Sequence, residues 1–482
     1  MIDFRPVFQI VGLILCLLAA SMAVPAVVDL IAGHWEWQVF VVSAGVTLFF
    51  GLAMMLGARV PVRPLSVRQT YLVTALGWVM PCLFAALPLA FGPAHLTAID
   101  AVFEATSGLT TTGATVIAGL DRLPPGLILW RALLNWMGGI GIIVMAMAVL
   151  PVLSIGGMQI FRIQVGTAND RATPRAARIG TTILSVYAGL TLALAAALWL
   201  AGMPSFDAIV HAMSTISTGG FGSYDTSLAR FDSALVDLIV CLGMVLGGLP
   251  FLLFFLVAQG QVGRALRDQQ LRWYLGLMAL GAIAVSLWLM IDRHSEPLTA
   301  LRHGAFTVVT VMTGTGLTTT DYSDWTGLPA AILFFLTFVG GCAGSTAAGI
   351  KVFRLHLLFA NARVQLRQLL RPHAVMIPTF NNKPISEEVL ESVMGFLFVY
   401  VLGFAVLAMM LGFLGLDFIT AISGAASAIS NLGPGLGDTI GPGGTYAPLP
   451  DAAKILLAGG MLFGRLEMFI LLVLCVPAFW KQ

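Results

Sequence analysis

Long apolar stretches separated by short polar connections run through almost the whole chain. An α-helix needs about 20 apolar residues to cross a bilayer. Ten stretches are long enough, at residues 8–31, 38–57, 71–92, 127–150, 180–202, 234–257, 273–292, 328–349, 390–414 and 453–478. The first follows Arg5, as a signal peptide would, but it is too long and lacks an Ala-x-Ala cleavage pattern. We therefore predict ten membrane-spanning helices, the first of them retained.

A shorter segment recurs four times between these stretches and ends each time on a glycine. The copies are DAVFEATSGLTTTG (100–113), DAIVHAMSTISTGG (207–220), HGAFTVVTVMTGTG (303–316) and TAISGAASAISNLG (420–433). Hydroxyl residues stand three and six positions before that glycine in every copy, namely Thr110, Ser217, Thr313 and Ser430, and Ser107, Ser214, Thr310 and Ser427. Successive glycines lie 107, 96 and 117 residues apart. One repeating unit therefore occurs four times.

This repeat predicts the domain organisation. Each unit consists of a spanning helix, the glycine-ended pore segment and a second spanning helix. We predict an all-α polytopic membrane protein with four tandem helix–pore loop–helix repeats around one pore, preceded by two extra transmembrane helices. The predicted divisions are 1–70 for the N-terminal two-helix segment and 71–160, 161–265, 266–371 and 372–482 for pore repeats 1 to 4.

The pore segments are too short to cross the membrane, so each must enter and leave on one side. Backbone that is not helical at membrane depth must be buried in protein or line a water-filled cavity. Four such segments around an axis would bring carbonyl groups together, and carbonyl rings can replace the hydration shell of a potassium ion. Glycine supplies the positive φ that such a turn needs.

The glycines and hydroxyl residues of the repeat also have structural interpretations. A single glycine among the 52 in the chain is more typical of close helix packing, but four in register with two hydroxyl columns are not explained in that way. The hydroxyl groups either bond back to the pore helices or contact ions, and both readings stay open. Glu104 stands where the other copies have His211, Thr307 and Gly424, so we expect it to support the filter from behind.

Composition excludes a soluble protein. The 482 residues are 58% apolar and 10% charged, with a mean hydropathy of +0.94, so charge is too sparse to coat a water-facing surface. With a cytoplasmic N-terminus, ten crossings place 18 of the 25 Lys and Arg residues on the inner side, as the positive-inside rule requires. The net charge of +2 does not indicate nucleic acid. The five cysteines lack metal-ligand spacing.

Seven motifs carry a family resemblance. They are TTTGATV (110–116), STGGF (217–221), TGTGLTTTD (313–321), NLGPGLG (431–437), WMGGIGI (136–142), GGCAGSTAAGIKVFR (340–354) and GRLEMF (464–469). With them the whole chain resembles the Trk/Ktr/HKT superfamily of potassium transporters, and most closely its bacterial TrkH and TrkG type. The two leading helices fit that type as well. The resemblance implies potassium uptake through a channel-like pore and no enzymatic activity.

The same resemblance implies a selectivity filter. Its potassium-binding residues would be Thr111, Thr112, Gly113, Thr218, Gly219, Gly220, Thr315, Gly316, Leu317, Asn431, Leu432 and Gly433. In plant relatives, serine at the first filter glycine accompanies sodium transport. Glycine stands at all four positions here, which favours potassium. The resemblance implies no bound cofactor, since potassium is the transported ion.

A gate is implied below the filter. In the family, the glycine-rich stretch is an intramembrane loop that obstructs the pore, and an arginine in the last span is an electrostatic barrier to cations. The corresponding residues are Gly344, Ser345, Thr346, Gly349, Lys351 and Arg465. We expect Lys351 and Arg354 to face the cytoplasm. The alternatives are a closely packed flexible helix at the glycine run and an ion pair of Arg465 with Glu467 or another acid.

The resemblance also implies location and partners. It places the chain in the bacterial cytoplasmic (inner) membrane, surrounded by lipid, with both termini cytoplasmic. A homodimer is implied, together with a cytoplasmic nucleotide-binding subunit of the RCK type, similar to TrkA, because the chain itself has no phosphate-binding loop motif. Arg363, Arg367 and Arg371 read as solvated inner-face charge or as a docking surface.

Two other functions fit the sequence less well. A proton- or sodium-coupled secondary transporter would show inverted repeats and charged residues at the membrane midplane, whereas these repeats are parallel and carboxylates there are nearly absent. An intramembrane hydrolase is disfavoured, because the chain has neither a GxSxG nor an HExxH motif.

Overall fold

The computed structural model describes residues 2–61, 65–146, 153, 156–157, 173–373 and 376–481, with residues 173–179 described by their backbone alone. The helices and strands, in chain order, are α1 (Arg5–Ser21), α2 (Ala23–Ala32), α3 (Trp37–Gly57), α4 (Val67–Ala85), α5 (Leu87–Phe91), α6 (Ala98–Leu109), α7 (Pro125–Val144), α8 (Thr173–Leu200), α9 (Ser205–Ile216), α10 (Ala234–Gly247), α11 (Phe251–Ala258), α12 (Val262–Leu266), α13 (Gln269–Asp292), α14 (Pro297–Thr313), α15 (Leu328–Val339), α16 (Val352–Leu370), β1 (Thr379–Phe380), β2 (Lys383–Pro384), α17 (Glu387–Phe413), α18 (Phe418–Ser430), α19 (Asp451–Arg465), α20 (Phe469–Cys475) and α21 (Pro477–Trp480). The end of the predicted span 127–150 and the predicted boundary between repeats 1 and 2 lie outside the described residues.

The outer surface of the helical bundle is apolar. Phe413 is 91% exposed, Leu192 71% and Phe49 68%, and such a surface indicates contact with lipid. Within the described residues, seven helical segments are long and apolar enough to cross a membrane, and two bent helix pairs raise that number to nine. The pattern of long apolar stretches is thus largely confirmed.

One predicted span is wrong. The stretch 328–349 is not a continuous helix, because α15 ends at Val339 and residues 340–351 form an irregular loop before α16 begins. Gly340, Gly344 and Gly349 have φ angles of 70°, 77° and 81° in this loop. Those angles are incompatible with a right-handed helix and are cheap only for glycine.

The second spanning helix of repeats 2 and 4 is also interrupted. Helices α10 and α11 meet at 94°, and α19 and α20 meet at 110°. Pro250 precedes α11 and has no N–H to continue the helical ladder. Between α19 and α20, Glu467 and Met468 take left-handed φ angles of 57° and 47°. Backbone groups freed by these breaks need partners inside the protein.

One short helix in each repeat lies between the two spanning segments and carries the recurring pore segment. These pore helices are α6, α9, α14 and α18, with 12, 12, 17 and 13 residues. Thr97 caps the first, accepting a hydrogen bond from Asp100 N at 3.1 Å, and Asp417 caps the fourth. Hydrogen bonds from the hydroxyl and N–H of Thr420 hold the pKa of the Asp417 carboxyl below its ordinary value. An ionised cap suits a helix N-terminus.

The two leading spans pack through glycines. Helices α1 and α3 cross so closely that a Cβ on Gly12 would lie 2.6 Å from the carbonyl oxygen of Gly51, and a Cβ on Gly51 would lie 2.8 Å from Cys16 Sγ. Small residues permit such close approach of helices in membranes, where dispersion contacts replace the hydrophobic effect. The N-terminal segment is therefore held together by backbone proximity.

We expect Gly12→Leu to lower the thermal stability of the purified protein. The added side chain has no room, and overpacking costs about 1–3 kcal/mol. Gly45→Leu is the matched control, because Gly45 lies within α3 with nothing within 4 Å of its would-be Cβ. The measurement is the fraction of protein that remains monodisperse in size-exclusion chromatography after heating to a series of temperatures. Equal losses in the two variants would contradict this packing argument.

Candidate functional site

All four pore helices end in the same backbone motif. The residue two positions before the glycine that ends each repeated segment is left-handed in every copy, with φ of 51°, 51°, 72° and 51° at Thr111, Thr218, Gly314 and Asn431. The N–H of the next residue bonds back five positions to a helix carbonyl at 2.8–3.0 Å in all four copies, the pairs being Thr112 to Ser107, Gly219 to Ser214, Thr315 to Thr310 and Leu432 to Ser427. This is a Schellman termination.

We name the four turns after these helices filter turns 1 to 4, comprising residues 110–113, 217–220, 313–316 and 430–433. Each turn ends on a glycine of positive φ, namely Gly113 (84°), Gly220 (82°), Gly316 (81°) and Gly433 (99°). Left-handed threonine is unusual because its branched Cβ crowds the backbone. Its occurrence in filter turns 1 and 2 marks strain of the kind that gathers at functional sites.

The four turns form a closed ring. A Cβ on Gly113 would collide with Gly219 O, one on Gly220 with Thr315 O, one on Gly316 with Leu432 O and one on Gly433 with Thr112 O, each at less than 3.0 Å. Every glycine therefore faces a carbonyl of the next turn, and the fourth turn returns to the first. All four glycines also line one cavity of about 210 Å³.

The hydroxyl groups of the column three positions before the glycine mostly bond to the pore helices. The hydroxyls of Thr110 and Thr313 bond to carbonyls four residues earlier at 2.7 and 2.8 Å, and that of Ser217 to the carbonyl three residues earlier at 3.0 Å. Ser430 instead contacts the hydroxyl of Tyr400 at 2.7 Å. The back-bonding interpretation is therefore confirmed for three of the four residues in the nearer column.

Two of the predicted filter residues contribute no side chain to the ring. Leu317 and Leu432 are 0% and 4% exposed and belong to the hydrophobic core. Asn431 links repeats instead, since its side-chain amide donates to Thr112 Oγ1 and to Met461 O, both at 2.9 Å. Only the backbone of the two leucines is available to the site.

A buried ion pair lies behind filter turns 1 and 2. Arg131 Nε donates to Glu104 Oε1 at 2.8 Å, and both side chains are almost fully buried. The same guanidinium donates to Gly222 O at 3.2 Å and lies 4.1 Å from the centre of the Phe221 ring. Glu104 also accepts the N–H of Val116 at 2.9 Å. The pair therefore ties the chain after turn 1 to the chain after turn 2, as expected for Glu104.

The glycine-rich loop at residues 340–351, which we name the gate loop, lies against the filter turns. Thr346 Oγ1 is 3.0 Å from the carbonyl oxygens of Ile216 and Gly247 and 3.2 Å from Thr218 Oγ1. The loop is closed at its base, where the N–H of Lys351 donates to Val339 O at 3.0 Å. Its extended backbone is thereby satisfied within the protein.

Arg465 joins the gate loop to filter turn 1. It is 4% exposed, donates a short hydrogen bond to Thr111 Oγ1 and donates to Thr346 O at 3.0 Å. Glu467 is not its ion-pair partner, because that carboxylate pairs with Arg354 and, at 3.9 Å, with Lys351. The suggested Arg465–Glu467 pair is therefore wrong.

Comparisons with known proteins identify the family. The TrkH family model, described as a cation transport protein, matches residues 38–482. The chain is 41% identical to the Trk system potassium uptake protein TrkI of Halomonas elongata, over 99% of this chain and 97% of that protein. It is 37% identical to the Trk system potassium uptake protein TrkH of Escherichia coli K12, over 99% and 100%. The chain belongs to the TrkH family.

The fold of this TrkH-family chain agrees with a solved relative. The crystal structure of the potassium transporter TrkH from Vibrio parahaemolyticus superimposes with a TM-score of 0.92 at 36% identity, covering 100% of both chains. The predicted fold class and the predicted family are thus confirmed. The chain is a multi-pass membrane protein of a transport family.

Two charged residues lie elsewhere than predicted. Lys351 and Arg354 do not face the cytoplasm as solvated charges, since they are only 5% and 0% exposed. Arg354 also donates to Gly156 O at 2.9 Å and lies 3.7 Å from the centre of the Phe396 ring. Glu467 lies in the break after α19 and brings a carboxylate to both residues, which the order of the motifs in the sequence does not reveal. Buried charges need such pairing.

Arg131 is the functional candidate that the motif analysis of this TrkH-family chain missed. Its signal was present, because an arginine inside a predicted span is expensive and marks a paired or functional position. Glu104 stands out in the alignment of the four repeats, whereas its partner Arg131, 27 residues later, lies outside the repeated segment. Helix α7 carries Arg131 back past α6, which sequence separation does not show.

We expect Glu104→Gln to destabilise the protein by about 3 kcal/mol, because it leaves the Arg131 charge buried without a counter-charge. Asp232→Asn is the matched control. It removes an acid 3.2 Å from Arg302, but that acid is 88% exposed, and exposed pairs contribute little. Denaturant unfolding of both variants in detergent tests the difference. Similar small losses would refute a supporting role for the buried pair.

Proposed function

We propose that this protein conducts potassium into the cell through a pore formed by its four repeats. The relatives are named potassium uptake proteins, and the full-length likeness supports the same cargo here. An interior-negative membrane potential would drive uptake with about 2.3 kcal/mol per charge per 100 mV. The division into repeats at residues 70, 160, 265 and 371 remains part of this proposal.

The observation that carries the proposal is the closed ring of filter turns. Four glycines each face a carbonyl of the neighbouring turn, and all four line one cavity. Such a ring brings peptide oxygens together where side chains are excluded, which suits coordination of a cation stripped of water. Potassium would be held by the backbone and hydroxyl oxygens of Thr111, Thr112, Gly113, Thr218, Gly219, Gly220, Thr315, Gly316, Leu317, Asn431, Leu432 and Gly433.

The gate loop and Arg465 are proposed to close this pore. The loop contacts Thr218 through Thr346, and Arg465 contacts Thr111 and Thr346. A buried positive charge at that place opposes the passage of cations. The gate residues Gly344, Ser345, Gly349 and Lys351 act by shaping and anchoring the loop. Opening would require the loop and the arginine to leave the filter turns.

The setting of the pore is also a proposal. The charge distribution supports the bacterial inner membrane with both termini cytoplasmic. The name Trk system, carried by the relatives, supports assembly with further components, and we propose a homodimer controlled by a nucleotide-binding subunit similar to TrkA. Arg363 and Arg367 on α16 and Arg371 directly after it are exposed and are suitable for docking that subunit.

A coupled carrier is the second candidate. Buried titratable groups next to the pore would be required for proton coupling, and His211 is fully buried within pore helix α9. Its Nδ1 contacts Asp207 O at 2.9 Å, which gives it an ordinary structural partner. The flux measurement below separates the two mechanisms.

The filter is tested by rubidium-86 uptake into proteoliposomes, driven by an imposed potential and competed with potassium, sodium and lithium. In Gly316→Ser, the new Cβ meets Leu432 O at 2.5 Å, and we expect discrimination between potassium and sodium to fall about tenfold, equivalent to about 1.4 kcal/mol. Gly33→Ser is the control, because Gly33 has a similar φ of 77° but nothing within 4 Å.

The outcomes of this assay are distinct. Uptake blocked more strongly by potassium than by sodium, with the ranking weakened only in Gly316→Ser, supports the glycine filter. Uptake that requires a proton or sodium gradient favours the coupled carrier. An unchanged ranking in Gly316→Ser would show that the ring of glycines does not select the ion.

The gate is tested by deleting residues 344–346 in the same assay. The bonds at the base of the loop, such as Ile350 N to Phe338 O at 2.9 Å, remain possible after the deletion. We expect rubidium uptake to rise several-fold with the ion ranking unchanged, because the obstruction is removed while the filter turns stay. Uptake that does not rise in correctly folded protein would contradict a blocking role for the loop.

A further inference from the structure

A side chain from another part of the chain holds the tip of the gate loop. This residue, Gln270, belongs to none of the seven motifs that carry the family resemblance. The N–H of Ala343 donates to Gln270 Oε1 at 2.7 Å, and Gln270 is 1% exposed. From outside the loop, the residues on either side are held by main-chain groups, since Cys342 N donates to Gly248 O at 3.0 Å and Gly344 O accepts Phe251 N at 2.9 Å. Within the loop, Ser345 Oγ donates to Cys342 O at 2.6 Å. Gln270 therefore makes the side-chain contact that fixes the middle of this tip.

Gln270 lies in the first turn of α13, and the start of that helix is fixed in turn. Asp268 caps it, accepting Gln270 N at 2.8 Å and Leu271 N at 3.4 Å through Oδ1. A cap of this kind sets where a helix begins and how its first side chains are directed. Any displacement of the cap would move the Gln270 side chain relative to the loop.

A β-hairpin about 110 residues later in the sequence forms hydrogen bonds with this cap. Strands β1 and β2 pair antiparallel, with Asn381 and Asn382 left-handed at the turn (φ 49° and 60°), as two-residue hairpins require. Asn381 N donates to Gln269 Oε1 and Asn381 Oδ1 accepts Gln269 N, both at 2.9 Å. Asn381 Nδ2 also donates to Asp268 Oδ2 at 3.1 Å. Three bonds thus join one hairpin residue to the helix start.

Apolar contacts also connect the hairpin to the gate loop. Phe380 of the hairpin is 3% exposed, belongs to the buried cluster that contains Ala343 and Phe353, and lies 5.6 Å from the ring of His356. The next residues, Asn382 and Lys383, are exposed. The hairpin therefore has one face packed towards the gate loop and a tip that is open to contact.

We propose that Gln270 is a positioning residue that holds the gate loop in its closed conformation, and that the hairpin of β1 and β2 controls it through Asn381. This inference rests on the proposed function of the loop as a gate. A force on the exposed hairpin tip would reach the loop through three consecutive residues, Asp268, Gln269 and Gln270. The hairpin and the gate loop are thus coupled through hydrogen bonds, each of which is either formed or broken.

Two substitutions break this route at different points. Gln270→Met keeps the length of the side chain but removes the acceptor for Ala343 N. Asn381→Gly keeps the left-handed turn and removes the side-chain bonds to Gln269 and Asp268. Asn382→Gly is the matched control, because it makes the same change one position along the turn, at an exposed residue.

The first readout is hydrogen exchange of the peptide covering residues 340–351, measured in the full-length protein in nanodiscs. Loss of one hydrogen bond in Gln270→Met and of two in Asn381→Gly should speed exchange at the loop tip about two- to tenfold, with no change in Asn382→Gly. A merely structural hairpin would leave the exchange of this peptide unchanged. That result would overturn the proposal.

The second readout is rubidium uptake, with the 344–346 deletion as reference. We expect both variants to raise uptake with the ion ranking unchanged, and the double variant to raise it no more than the stronger single one, because they act on one route. If the deletion raises uptake and the two variants do not, the proposal for Gln270 is wrong and the gate stands. If the deletion also fails, the gate itself is refuted.

Discussion

Backbone hydrogen bonding at membrane depth is the constraint on which the whole structure depends. Each pore helix stops inside the membrane region, where water cannot satisfy the groups that its end exposes. The four Schellman terminations pair part of them locally, with N–H to O distances of 2.8–3.0 Å in every copy. In each following turn, one carbonyl lies against the glycine of a neighbouring turn.

The same constraint explains the other irregular elements. The gate loop at residues 340–351, the break at Pro250 and the break at Glu467 all expose backbone in the middle of the fold. These three elements satisfy one another or the filter turns, since Cys342 bonds to Gly248 and Arg465 bonds to Thr346 and Thr111. The candidate gate is therefore built from interrupted helices whose ends contact one another and the filter turns.

Buried charge is sparse in the described part of the chain, and most of it is paired. Glu104 with Arg131 joins the chain segments that follow two filter turns, and Lys454 with Asp100, at 2.6 Å, joins the second helix of repeat 4 to the pore helix of repeat 1. Such pairs are costly to bury and add little net stability, but breaking one leaves an uncompensated charge. Arg465 differs from them, because its described contacts are a hydroxyl and a carbonyl.

The sequence alone determined the apolar spans, the fourfold repeat and the register of the four glycines, because hydrophobic length and repeated local motifs are properties of neighbouring residues. It also pointed to Arg465, since a lone charge in a span is visible without a structure. The tertiary structure decided the ring order of the turns, the end of α15 at Val339, and the burial of Lys351 and Arg354 around Glu467. It alone brought Gln270 to Ala343 and Asn381 to Gln269. Those contacts join residues 73 and 112 positions apart, and no local pattern encodes which distant groups must satisfy each other.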